Sequence, residues 1–146
     1  MTAEQTSTTK NRWVWIIPAA GAVIVINLAI HMLYMVAYYH LINPGQGTAH
    51  YHAHAELSAP YSSIIVGTPL MFLVCRWIGK KFAARFSGTA ALLVWLVYFL
   101  IDITVIVFAR ESSPLALLFV ISFVTKFAAA YLGGLAHGRF YGPGRT

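Results

Sequence analysis

Apolar side chains crowd four stretches of the chain, near residues 13–39, 59–79, 89–109 and 114–135. As a helix rising about 1.5 Å per residue, each is long enough to cross the roughly 30 Å of a bilayer's hydrocarbon. None alternates with the period of two that a barrel strand requires. The pattern therefore predicts an all-α polytopic membrane protein, with four transmembrane helices in an antiparallel bundle. The transmembrane domain is expected over residues 13–138, with an outer, histidine-containing loop at 40–58. Short cytoplasmic tails at 1–12 and 139–146 complete the division. The run from Trp13 to Tyr39 is too long for the apolar region of a secretory signal, so it is expected to stay as a span.

Prolines punctuate these runs. Pro60 and Pro114 stand where the second and fourth spans are expected to open, positions that tolerate a missing N–H. Pro69 falls inside the second span and should kink it, freeing a carbonyl near Ile65.

Composition agrees with the membrane reading. Only 10% of residues are charged while 59% are apolar, against about a quarter charged in ordinary soluble domains. The net charge of +6 would suggest nucleic acid in a soluble protein. Here the basic residues sit at the ends of apolar runs, so topology explains them and no nucleic-acid partner is expected. Lys10, Arg12, Lys80, Lys81, Arg85, Arg139 and Arg145 fall on one side of a four-span chain; the other side has Arg110 beside Glu111. By the positive-inside rule both termini are cytoplasmic, in an inner or plasma membrane. Trp13, Trp15, Trp77, Tyr131 and Tyr141 would mark the inner interface, and Tyr38, Tyr39, Tyr51 and Tyr61 the outer one. Cys75 is the only cysteine, which removes internal disulfide and CxxC chemistry.

Against this apolar background the buried polar residues carry the information. Asp102 in "YFLIDITVI" and Lys126 in "SFVTKFAAA" each cost about 2.5–3.5 kcal/mol at mid-helix, so neither should face lipid. Side chains lean toward their own helix N-terminus, and the third and fourth spans run in opposite directions. Asp102 and Lys126 thus lean toward each other, and a neutralising contact is expected. It would serve either as an ion or proton relay or as a pair that fixes the register of a hairpin. Asn27 and His31 share one face of the first span, four residues apart, and extend this polar core. No second helix-interior histidine faces His31, which argues against a buried haem.

The segment "AHYHAHAE" sets His50, His52, His54 and Glu56 at every second position. In an extended loop all four point the same way; in a helix His50 pairs with His54, and His52 with Glu56. Imidazole plus carboxylate suits a Zn or Cu ion, making these the candidate metal ligands. No general acid–base set accompanies them, and no catalytic residue is assigned. Finally, Ala130, Gly134 and Gly138 form a small-xxx-small run on the fourth span. Such a face suits either packing within the chain or a seam to a homodimer or larger membrane complex.

Together these features point first to a small transporter-like protein with a polar intramembrane core and a cation-collecting outer loop. A non-catalytic accessory or assembly subunit is the second reading, and a metal-dependent membrane enzyme the third.

Overall fold

Where the apolar runs lie, helices form, and among the described residues there is no strand. The computed structural model describes residues 14–82, 84–109 and 116–140. The N-terminal tail, Trp13, the Arg110–Glu111 turn with Pro114, and the chain from Tyr141 lie outside them. Helix α1 spans Ile16–Ala37 and runs on as one π-helical turn, Tyr38–Ile42, closed by the Asn43 N–H donating to the Tyr38 carbonyl at 2.9 Å. Helix α2 covers Thr48–Ile65, α3 Gly67–Gly79, α4 Ala84–Ala109 and α5 Ala116–Phe140. Four stretches of helix are long and apolar enough to cross a membrane: Ile16–Ile42, Thr48–Gly79, Phe86–Thr104 and Leu117–Ala136.

The second of these begins earlier than expected. Residues 48–58 fall in the predicted loop 40–58, with Pro60 opening the helix; instead α2 starts at Thr48 and carries Pro60 buried within it. Ala49, Ala53, Ala55 and Ala59 interleave the polar residues, and alanine is the strongest helix former. A clamp then holds the start. The Tyr51 hydroxyl donates to the Asn43 carbonyl at 2.8 Å and accepts from the Gln46 N–H at 3.1 Å. Gly45, at φ +83°, supplies the left-handed residue this turn needs. Tyr51, expected at the outer interface, is instead buried as the turn's staple.

Pro69 acts where the sequence places it. It lacks the N–H that the Ile65 carbonyl would accept, and the helix breaks at Val66 between α2 and α3. Val66 still donates to Ser62 at 2.9 Å and accepts from Leu70 at 3.2 Å, so the break is one residue wide.

Helix α5 lies against both α3 and α4, and two adjacent glycines allow it to approach so closely. A Cβ on Gly133 would stand 2.6 Å from the Phe72 carbonyl oxygen; one on Gly134 would meet Ala91 Cβ at 2.8 Å. Ser87 Oγ donates to the Gly134 carbonyl at 3.1 Å across the same contact. Ala130 is fully buried with them. The small-residue face of the fourth span is therefore used inside the chain at Ala130 and Gly134. Helix α1 closes the core with Ile16, Ala19, Ala20 and Val23, while its later turns expose Val25, Leu33 and Val36. At this basic end the Lys81 ammonium sits between the rings of Trp15 and Trp77, 3.7 and 4.0 Å from their centroids.

Because the nearest atom facing Gly133 is the Phe72 backbone carbonyl oxygen and cannot give way, Gly133→Ala should destabilise the protein by about 1–3 kcal/mol. Gly21→Ala, with nothing within 4 Å of its Cβ, should be neutral or slightly stabilising. Thermal unfolding of the purified variants in one detergent checks the contrast; equal midpoints would refute the close-packing account.

Candidate functional site

Lys126 stands ten residues into α5 with no exposed surface. An ammonium carries three N–H donors and accepts nothing, so burial is tolerable only if acceptors surround it. Two are in place. Nζ donates to Ser63 Oγ of α2 at 2.5 Å and to the Tyr98 phenol oxygen of α4 at 2.6 Å. Nζ also lies 4.6 Å from the Tyr98 ring centroid. Tyr98 in turn donates to Asp102 Oδ2 at 3.2 Å.

The expected Asp102–Lys126 contact is thus indirect, with the Tyr98 phenol between the two groups. The reason is depth. Asp102 lies seven residues from the end of α4 and Lys126 ten residues from the start of α5. That difference is about one helical turn, and the residue one turn before Asp102 is Tyr98.

Neighbouring polar residues line the same seam. Ser63 and Ser122 hydroxyls are 3.3 Å apart, and Thr68 Oγ1 donates to Thr125 Oγ1 at 3.3 Å. These pairs flank the break at Val66, where Gly67 leaves room for the lysine. A Cβ on Gly67 would stand 2.7 Å from Lys126 Cε, 3.3 Å from its Nζ and 3.6 Å from Asn27 Oδ1. Asn27 of α1 therefore belongs to the cluster, and all four spans contribute to it. His31 lies one turn farther along α1, between Asn27 and the 43–47 turn. Toward the basic end the core changes character: Val23, Met71, Cys75, Ile78, Ala91 and Val94 are fully buried, an apolar layer.

The histidine segment is a second polar region, between α1 and α2. Being helical, it divides the four candidate ligands between two faces. His50 and His54 turn toward Tyr38 and Tyr34 of α1. The Tyr38 and His54 rings stack at 3.7 Å with an interplanar angle of 5°, and the Tyr34 hydroxyl is 2.9 Å from His54 Nε2. His50 Nε2 accepts from Asn43 Nδ2 at 3.1 Å, and the Tyr38 hydroxyl lies 3.3 Å away. His52 instead faces a groove of about 570 Å³ whose walls include His31, His40, Tyr39 and Met35. Glu56 is exposed. Among the described residues no three His, Cys, Asp or Glu side chains gather as a set able to hold one ion. A second groove of about 590 Å³ lies on the other side of the α1–α2 contact, lined by Tyr34, His54, Tyr61 and Ser62 among others.

No protein-family model, curated protein or solved structure matches the chain, so the site rests on its own geometry. That geometry brings together Asn27, Asp102 and Lys126, places His31 beside them, and separates His50 and His54 from His52 and Glu56. It adds Ser63, Tyr98 and Gly67. Tyr98 is visible in sequence as part of the Trp95–Tyr98–Asp102 stripe, though not as the bridge. Ser63 carries no such signal; its place follows from the break that Pro69 imposes.

If the phenol carries the coupling, a double-mutant cycle on Asp102→Asn and Lys126→Met should show an interaction of about 0.5–3 kcal/mol in the native background. In a Tyr98→Phe background the same cycle should fall toward zero. Unfolding in mixed micelles measures both; an undiminished interaction would mean that the two charges meet without Tyr98.

Proposed function

We propose that the protein is a small multi-pass membrane transporter whose working charge is Lys126, coupled through Tyr98 to Asp102. The observation that carries this reading is a fully buried ammonium hydrogen-bonded to Ser63 and Tyr98 on two other spans. A lone register-fixing charge needs one partner, whereas Lys126 sits at the meeting point of all four spans, beside a helix break.

The chemistry available to this cluster is proton movement. Lys126 can pass a proton to the Tyr98 oxygen as Tyr98 passes its own to Asp102. The outcome is a neutral amine and a neutral carboxylic acid, with the phenol unchanged. Net charge is zero before and after, so the step needs no counter-ion inside the bilayer. In this reading the lysine-poor end, with the 43–47 turn, faces outward and the end with Lys80 and Lys81 faces the cytoplasm. The stacked Tyr–His contacts between α1 and α2 then form the outer gate, and a Zn or Cu ion at His52 or His54 would be a ligand of that gate. The accessory-subunit reading is less favoured, because Ala130 and Gly134 of the small-residue face suggested for a partner are buried inside the chain, Gly134 against α4.

Proteoliposomes with an imposed pH gradient, clamped with potassium and valinomycin, test the proposal by an internal pH dye. The gradient should collapse several-fold faster than in empty vesicles, and Lys126→Met should return it to the empty rate. Wild-type protein at the empty rate, or Lys126→Met at the wild-type rate, would overturn it.

A further inference from the structure

Among the described residues, two buried polar side-chain atoms have no hydrogen-bond partner: Asn27 Oδ1 and His31 Nδ1. Both belong to α1, and a spacing of four residues stacks them one turn apart on a single face. Buried acceptors and donors in native proteins are nearly always paired, with protein or with ordered water. At one end of this face, Asn27 Oδ1 and Lys126 Nζ border one point beside Gly67, where a Cβ would lie 3.6 Å from the first and 3.3 Å from the second. Lys126 commits two N–H donors to Ser63 and Tyr98, which leaves its third to be satisfied. At the other end, His31 lines the groove it shares with His40 and His52, which opens between α1 and α2.

We propose that a file of water enters from this groove, passes His31 and Asn27, and ends on the Lys126 ammonium. His31 Nδ1, Asn27 Oδ1 and the third Lys126 N–H are the polar groups that such water would satisfy. Toward the basic end the file stops, because Met71, Cys75 and Val94 are apolar and fully buried around Lys126's level and below it. In this conformation Lys126 communicates with one aqueous phase only, through the face that carries the histidines. The inference rests on the transport reading for its meaning: the species delivered along water to an ammonium–phenol–carboxylate chain is the proton.

Cysteine accessibility in sealed proteoliposomes tests the route without using transport. Asn27→Cys and His31→Cys should react with a small hydrophilic methanethiosulfonate at least tenfold faster than Leu33→Cys, which is exposed on α1 but lines neither groove. Native Cys75, in the apolar layer, should stay unmodified and serves as the internal control. Hydroxyl-radical footprinting of the unsubstituted protein covers the case in which a variant misfolds: His31 should be oxidised and buried Met71 spared. Cysteines at 27 and 31 as slow as at 33, or Met71 oxidised as heavily as His31, would overturn the route. Accessibility without proton flux would keep the route and remove the transport reading; flux without accessibility would do the reverse.

Discussion

An ammonium in the middle of an apolar bundle must be surrounded by oxygen, and the rest of the structure is arranged around that requirement at Lys126. Left facing hydrocarbon, it would oppose insertion by about 2.5–3.5 kcal/mol. Ser63 and Tyr98 supply the oxygens, each from a different helix. Tyr98 then passes the interaction to Asp102, the one acid described within the spans apart from Glu56 near the turn. Space for the long side chain comes from Gly67, and Gly67 begins α3 because Pro69 forces a break at Val66, three residues after Ser63. A proline, a glycine and a serine on one span thus exist in relation to a lysine on another.

Packing and polarity divide the molecule along its length. Toward the basic end, α3, α4 and α5 are drawn together at Gly133 and Gly134, and the side chains between them are small or apolar. Near the 43–47 turn, α1 and α2 meet instead through stacked tyrosine and histidine rings, with a groove on each side. Close apolar packing resists water and motion, whereas a ring-stacked contact flanked by open grooves has few atoms to separate. The half near the 43–47 turn is therefore the half built from the weaker contact.

Much of this is legible in the amino-acid sequence. The four apolar runs specify the four helices long and apolar enough to cross a membrane, because length and composition alone decide whether a segment can span. Asp102 and Lys126 stand out for the same reason, as do Asn27 and His31 on one face. What escaped was relational. The offset of one turn between Asp102 and Lys126 depends on how α4 and α5 are joined, and no periodicity reports it. The helical start at Thr48 was hidden by histidines that read as a loop, although the alanines between them favour helix. Tyr51 looked like an interface aromatic because its clamp depends on a turn that brings Asn43 and Gln46 to it. Small residues on the fourth span announce close packing without naming the neighbour, which at Ala130 and Gly134 lies within the chain.

Solid-state NMR of protein in lipid bilayers, with ¹⁵N placed in lysine side chains, examines the central ammonium most directly. Lys10, Lys80, Lys81 and Lys126 are the lysines of the chain, and the signal lost in Lys126→Met identifies the one in question. Cross-peaks from that ammonium to the Tyr98 ring, and to slowly exchanging water, are the predicted result. Cross-peaks to lipid acyl chains, or exchange as fast as that of Lys80 and Lys81, would contradict the account.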